Sequence, residues 1–424
     1  MKTKAVRLHG ENDLRLEEFE LPAIKNHEIL AHVISDSICM SSYKATIQGS
    51  RHKRVPDTIG TNPVIVGHEF CGEILEVGSK WKDRFKPGQR FSIQPAVNYE
   101  GNMNGMGAPG YSYPHLGGDA THVIIANEFM ERDCLLPYDG EAFYMGSLAE
   151  PMSCIVGTFH AHYHTEKYKY EHRMGIVKGG KMAILAGVGP MGIGAIDYAI
   201  HNPGPRPSLL VVTDIDDARL ARAASILTVE EAKRNGVELH YVNTKDMADA
   251  PAKLKEMAGG EGYDDVMVFA PVPAVFEQGA QILGFDGCLN FFAGPSDPAM
   301  TGRMNLYDIH YSQHHIVGTS GGNTDDMVES LELMASGAIN PSAMITHVGG
   351  LNAVAETTLN LPKIPGGKKL MYTNCSLELT AIDDFAGKGK TDPFYAALAE
   401  IVARNNGLWC AEAEKYLLAN APSI

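Results

Sequence analysis

The sequence predicts an α/β protein in which a β-rich portion accompanies a doubly wound parallel sheet, and three observations lead there. From Lys181 to Asp214, a short apolar run, a glycine turn, a helix-like stretch and a second apolar run ending on an acid follow in order. After that segment, apolar runs at 265–269, 288–292 and 316–318 alternate with helical stretches around 218–226, 254–257 and 273–283, the rhythm of βαβ units. Ahead of it, strand-like runs separated by glycine turns fill the chain, the strongest at 29–34, 64–66, 72–77, 90–93 and 122–125.

Taken in order, the early strands lead to 94–118, a glycine-rich stretch with few apolar residues that predicts an exposed loop. Residues 140–160 predict a helix with a local break at Pro151, since proline removes a backbone donor and crowds the preceding turn. Next comes Gly187-Val188-Gly189-Pro190-Met191-Gly192, a dinucleotide-binding fingerprint standing in the context the motif requires: strand, turn, helix, strand, acid. Gly187 is expected to permit the tight turn, Gly189 to let the backbone approach a pyrophosphate, and Gly192 to let helix pack on strand. Pro190 and Met191 open the helix whose first amides hold the phosphates. Asp214 ends the second strand, where a carboxylate accepts the adenosine ribose hydroxyls. From about residue 377 onward, FYAALAEIVARNNGLWCAEAEKYLL reads as helices with one apolar face that cap the β-rich domain or contact another subunit.

At 424 residues the chain exceeds what one core usually serves, so two domains are expected. Lys+Arg 36 against Asp+Glu 51 leaves a net charge of −15, which argues against nucleic acid and anionic membrane surfaces as partners. The N-terminal MKTKAVRLHG lacks an apolar signal core, and no apolar run approaches the length of a membrane span. The 7 cysteines show no CxxC pair and no secreted-type framework, so a cytoplasmic location is expected.

Three polar positions in the first part stand out: Cys39 in SICMSS, His68 with Glu69 in VGHE, and Glu150 in LAEP. Cysteine, histidine and glutamate are workable zinc ligands, and three protein ligands plus water is a catalytic arrangement. Spacing alone does not assemble them. Taken singly, they read as a buried thiol, a turn histidine and a solvated glutamate.

Together the motifs resemble the zinc-containing medium-chain dehydrogenase/reductase family. The resemblance rests on SICMSS, VIVGHEFCGEILEVG, FKPGQRF, HLGGDATHVI, SLAEPMSC, LAGVGPMGIGA, VVTDIDDARLARA and MITHVGGLNAVAET, in family order. Length, PGGKKL and KTDPFYAALAE narrow it toward L-sorbose-1-phosphate reductase-like members, relatives of sorbitol and galactitol-phosphate dehydrogenases. The resemblance implies a GroES-like catalytic domain formed by residues 1–156 and 320–424, a Rossmann domain at 157–319, and an active site in the cleft between them. It makes Cys39 and His68 ligands of a catalytic zinc, with Glu150 the third; Glu69 is either a supporting carboxylate or a ligand in exchange with Glu150. Ser41 matches the hydroxyl that passes the substrate proton toward solvent. Lys44 stands where many relatives carry a relay histidine, a departure that bears on the end of the proton path. Many relatives also hold a second zinc on four close cysteines, but 94–116 contains none, so one zinc per chain is expected.

The implied chemistry is hydride transfer between a nicotinamide and an alcohol or ketone carbon, with zinc acting as a Lewis acid on the oxygen. Asp214 favours NAD(H) over NADP(H), which Arg219 leaves room for. The basic run Arg51-His52-Lys53-Arg54 is a candidate phosphate contact in an acidic chain, its alternative being a solvated basic loop. A polyol or ketose substrate is expected, a sugar phosphate such as L-sorbose 1-phosphate before a free polyol or secondary alcohol, in a homo-oligomer, dimer or tetramer. A zinc-free reductase on the same fold lacks the ligand set, and a non-catalytic dinucleotide-binding protein leaves Cys39, His68 and Ser41 unexplained. His160, His162 and His164 invite a metal reading, but a helix joining the two domains with these histidines packed or solvated is the simpler expectation. His310, His314, His315 and His347 read as structural.

Overall fold

An eight-stranded sheet organises the first part of the molecule. In the computed structural model, which describes residues 1–166 and 169–424, it runs Thr380–Ala381, Ile345–Gly350, Lys368–Tyr372, Ile29–Ile38, Phe70–Val77, Arg90–Ile93 and Leu135–Pro137, with His122–Ile125 also pairing Ile29–Ile38. The strand Ile29–Ile38 pairs with three others, and its last six residues are all buried, as a strand covered on both faces must be. This sheet lies in a unit made of Met1–Pro151, Asn323–Ala335 and Ile345–Ile424; a second unit comprises Met152–Gly322 and Ser336–Met344.

The second unit is built on six parallel strands in the order Glu238–Asn243, Leu209–Asp214, Lys181–Leu185, Tyr263–Val268, Leu283–Phe291 and His315–Val317. This is the doubly wound order, with the strand that leads into the glycine turn at its centre. Ala183, Leu185, Val211, Val266, Val268 and Leu289 supply its buried apolar cluster. Among the described residues, no helix is long and apolar enough to cross a membrane.

Three expectations need correction. The helix Phe143–Ala161 is continuous, with Pro151 inside it rather than a break. Leu148, Ala149, Met152, Ile155 and Val156 are fully buried on both sides of the proline, and this packing outweighs the one lost backbone bond, about 3 kcal/mol. The loop 94–118 is not exposed throughout: Gly107–Tyr113 and Leu116–Gly118 are buried, and Leu116, Tyr113 and Val97 join the core of the first unit. The histidine run does not form one helix face, because the helix stops at Ala161 and Tyr163–Thr165 is a strand paired with His172–Met174.

The tail belongs to the first unit. Helices Pro393–Arg404 and Ala411–Asn420 bury Leu398, Ile401 and Leu417, with Trp409 between them, against Tyr144, Leu148 and Leu370. Glu414 is buried there and accepts from the amides of Phe143 (2.6 Å) and Tyr144 (2.8 Å), the first two residues of the long helix. Tyr372 also donates to it at 2.9 Å, and Trp409 Nε1 donates to the Tyr372 hydroxyl at 2.8 Å. A carboxylate at a helix start satisfies amides that have no partner within the helix.

Candidate active site

Register gathers the site in the first unit. Ile29–Ile38 ends one residue before Cys39 and pairs antiparallel with Lys368–Tyr372, Lys369 opposite Ile38. On its other side Asp36 faces Phe70, the first residue of the next strand, with His68 and Glu69 just ahead. Cys39, His68, Glu69 and Lys368 therefore meet at one end of a single sheet. The ligand atoms of Cys39, His68 and Glu69 all lie within 4.8 Å of one another. Gly67 makes the approach possible: its φ is +89°, and a Cβ there would sit 2.0 Å from Asp36 Oδ2.

The hydroxyls of Ser41 and Ser42 flank the His68 ring. Ser41 Oγ donates to Cys39 Sγ at 2.9 Å and lies 3.2 Å from His68 Nε2; Ser42 Oγ lies 3.3 Å from Nδ1. With Nδ1 held by Ser42, Nε2 is turned to the cysteine side, the arrangement in which a second partner orients a ligating imidazole. Cys39 also stands at the N-cap of the helix Met40–Gln48, where the helix dipole favours a thiolate. Burial, aided by the Glu69 charge, pushes its thiol up.

Glu69 is fully engaged. Lys368 Nζ donates to both its oxygens, at 2.5 and 2.6 Å, and Ser37 Oγ donates to Oε2. Against its burial, the Lys368 charge holds the Glu69 carboxyl below its ordinary value. The Glu69 amide donates to Asp36 Oδ1 at 3.0 Å, while burial and the neighbouring Asp119 push Asp36 well above the carboxylate range. Glu150 lies outside the tight group of three, but burial and the charges of Glu69 and Cys39, opposed by His68, push it up to about 7. It thus feels the same cluster.

Tyr111 enters from the buried part of loop 94–118. Its hydroxyl lies 3.5 Å from His68 Nε2, His52 stacks on its ring at 5.6 Å, and the Arg54 guanidinium stands 6.0 Å from the ring centre. Burial and the charges of Arg54, Lys53 and Lys44 push His52 down to about 4, which places all three cations around this edge. Arg51 instead pairs with Glu11 at 2.8 Å in an exposed bridge. Lys44 is half-buried on the helix of Ser41, its ammonium lowered by that burial.

In the second unit, the helix Pro190–His201 starts from Gly189 with no side chain capping it, so its first amides are offered outward. A Cβ at Gly192 would lie 2.1 Å from the Gly187 carbonyl oxygen, which is the close approach expected there. The left-handed residue of the turn is Ala186, φ 53°, rather than Gly187. Asp214 ends its strand almost fully buried, with Oδ1 accepting from the amides of Ile215 (2.8 Å) and Asp216 (3.2 Å). The Arg219 guanidinium reaches over Gly189, 3.5 Å from where a Cβ would stand.

The sequence reading missed Ser42, Ser37, Lys368 and Tyr111. PGGKKL did carry a signal for Lys368, since charged residues opening an apolar strand are costly to bury unless paired. Nothing local marks Tyr111.

Comparison with known proteins shows the family. Residues 25–132 match the alcohol dehydrogenase GroES-like domain and 190–336 the zinc-binding dehydrogenase family. The mannitol-1-phosphate 5-dehydrogenase of Aliivibrio fischeri is 55% identical over 417 residues, 98% of this chain and 97% of that protein. The L-sorbose 1-phosphate reductase of Klebsiella pneumoniae is 48% identical over 422 residues, 100% of this chain and 98% of that protein. Among solved structures, the 2R,3R-butanediol dehydrogenase of Bacillus subtilis superposes with a TM-score of 0.70 at 22% identity, covering 88% of this chain and 100% of its own. That likeness bears on the fold.

Proposed function

The chain belongs to the zinc-binding medium-chain dehydrogenase family, and we propose that it moves hydride between NAD(H) and a ketose or hexitol phosphate. The observation that carries this is the Cys39–His68–Glu69 cluster beside Glu150, rimmed by Lys44, Lys53 and Arg54, in a chain about half identical to two sugar-phosphate enzymes. Sulfur, imidazole and carboxylate donors suit zinc. When bound, nicotinamide supplies or accepts the hydride and zinc polarises the substrate oxygen.

Charge accounting favours Glu150 as third ligand. Glu69 and Lys368 neutralise each other, so Cys39 and Glu150, once deprotonated, match a 2+ ion. Glu69 then orients its neighbour His68 from a position fixed by Lys368, Ser37 and Asp36. Ser41 Oγ holds the proton exchanged with the substrate oxygen, and Lys44 on the same helix raises the local positive potential. Arg54, steadied by its bond to the Met106 carbonyl (2.9 Å), and Lys53 bind the phosphate. Asp214, with one oxygen committed to backbone amides, keeps the other for the ribose hydroxyls, which favours NAD(H).

The enzyme acts as a homo-oligomer through the second unit. Its edge strand His315–Val317 leaves Ile316 exposed, and the neighbouring Leu306, Tyr307 and Tyr311 are more exposed still, an apolar sheet edge that calls for a partner. A cytoplasmic setting suits seven cysteines that form no disulfide.

Kinetics on L-sorbose 1-phosphate, mannitol 1-phosphate and the two unphosphorylated sugars, with NADH or NAD, test this reading. Phosphorylated substrates should be preferred in kcat/KM by ~10–100-fold, and Lys53→Gln/Arg54→Gln should erase most of that preference through KM. Equal rates on free and phosphorylated sugars would point to a polyol dehydrogenase; NADH binding with no turnover would point to a non-catalytic protein.

A further inference from the structure

Away from that cluster, one other group of three ligand-type side chains comes together among the described residues. His162, His164 and Asp265, in the second unit, are all buried, with ligand atoms within 4.8 Å of one another. We propose that they bind a second divalent metal ion, zinc by the chemistry of the donors, which fastens the hairpin Tyr163–Thr165/His172–Met174 to the parallel sheet.

The local fold aims all three inward. His162 follows the end of the helix Phe143–Ala161, His164 lies in the first hairpin strand, and Asp265 lies in Tyr263–Val268. His162 Nδ1 stands 2.7 Å and His164 Nε2 3.0 Å from the same oxygen, Asp265 Oδ1. The remaining polar atoms of His164 and Asp265 are pinned: His164 Nδ1 is 2.9 Å from the Asp286 carbonyl oxygen, and Asp265 Oδ2 accepts from the Val177 amide at 2.9 Å. Such outer partners fix the orientation of metal ligands.

Proton accounting shows why a cation fits. A carbonyl oxygen only accepts, so His164 Nδ1 carries its hydrogen; a neutral ring then turns the bare lone pair of Nε2 toward Asp265 Oδ1. The contact is repulsive unless Nε2 gains a proton or a metal ion lies between the two atoms. The proton solution places an imidazolium where His162 is 0% and His164 4% exposed. A metal ion lets both rings stay neutral and gives the carboxylate a counter-charge. Consistently, the geometry favours positive charge here, with two buried imidazoles set on one carboxylate oxygen. His162 Nε2 has no hydrogen-bond partner of good geometry, and the buried Cys288 stands opposite Asp265 in the sheet, outside the group of three. With no side chain of the group exposed, the site is closed, as structural metal sites are.

Metal content of the purified full-length protein after equilibration with Zn²⁺ and removal of the excess decides the matter. Two equivalents per chain are expected. Cys39→Ala/His68→Ala should retain one, and His164→Gln should also retain one, keep its turnover and lose thermal stability. The Cys39→Ala/His68→Ala arm leaves the second cluster untouched, so it reads out even if His164→Gln does not fold. One equivalent in the native protein, or none in Cys39→Ala/His68→Ala, overturns the proposal without bearing on the catalytic site.

Discussion

The two donor groups differ in what surrounds them, as a site for chemistry would differ from a site for structure. Around Cys39, His68 and Glu150 lie hydroxyls and cations, Ser41, Tyr111, Lys44 and Arg54, that can meet a substrate, and Ser41 and Lys44 are only partly buried. Around His162, His164 and Asp265 the outer partners include a backbone carbonyl, a backbone amide and the Asp286 carboxylate, 3.8 Å from His164 Nδ1. An open donor set can exchange a water for an alcohol; a closed one holds its ion and braces the backbone. The carboxylates differ as well. Glu69 is balanced by a lysine, whereas the side chains paired with Asp265 are two imidazoles.

Removing that lysine is the strongest blow to the contrast. Lys368→Met strands Glu69 as a buried unpaired charge next to His68, which then competes with Glu150 for the ion. Zinc affinity at the catalytic site and turnover should fall ~10–100-fold, with Lys368→Arg recovering most of both. The second cluster should keep its metal. Turnover unchanged in Lys368→Met would mean that Glu69 needs no counter-charge, and the division of labour between Glu69 and Glu150 would fail.

A smaller effect is expected from the tail. Glu414 joins the start of the helix that carries Glu150 to Tyr372 and Trp409 through three hydrogen bonds to its carboxylate. Glu414→Ala leaves two helix amides and a tyrosine hydroxyl unsatisfied in the interior, a cost of about 2–3 kcal/mol. Thermal unfolding should move down by several degrees, and the catalytic zinc should dissociate faster while nucleotide affinity stays unchanged. Equal loss of zinc and nucleotide would show a general loosening instead of a link from tail to Glu150.

How legible these features were in the sequence follows from how far apart their parts lie. The nucleotide turn is contiguous, so Gly189, Gly192 and Asp214 could be assigned from spacing alone. Cys39, His68 and Glu150 were grouped only through the family resemblance, because the strand register that sets Cys39 beside His68 leaves no local mark and Glu150 stands on a helix. Lys368 showed locally only as a charge opening an apolar strand; the identity of its partner, 299 residues away, did not show. Glycine content misdirected the reading of 94–118, where glycines such as Gly110, pressed within 2.3 Å of the Gly67 carbonyl oxygen at the Cβ position, serve close packing rather than exposure. The histidine run was misjudged for a related reason. A helical spacing pairs His160 with His164, but a helix end followed by a strand pairs His162 with His164.

The gentlest probe uses pH, and it compares the second cluster with and without its ion. In the unloaded cluster His162 has its pKa raised from 6.5 to about 10. A raised imidazole pKa contributes stability that is complete below pH 6.5 and lost as pH rises through 10, because the unfolded chain gives up that proton first. Chelator-stripped protein should therefore weaken over this window, by at most ~1.4 kcal/mol per pH unit for the one proton. Lys369, lowered to about 8 in the first unit, acts the other way: unfolded, it holds its proton to higher pH, so stability there rises with pH above 8. Protein loaded with Zn²⁺ beforehand has His162 and His164 neutral throughout, so its alkaline decline should be shallower. Melting temperatures of stripped and loaded protein at neutral pH and at about pH 9 give the comparison. Parallel decline in both would mean that the imidazoles titrate whether or not zinc is supplied, and that protons alone balance Asp265.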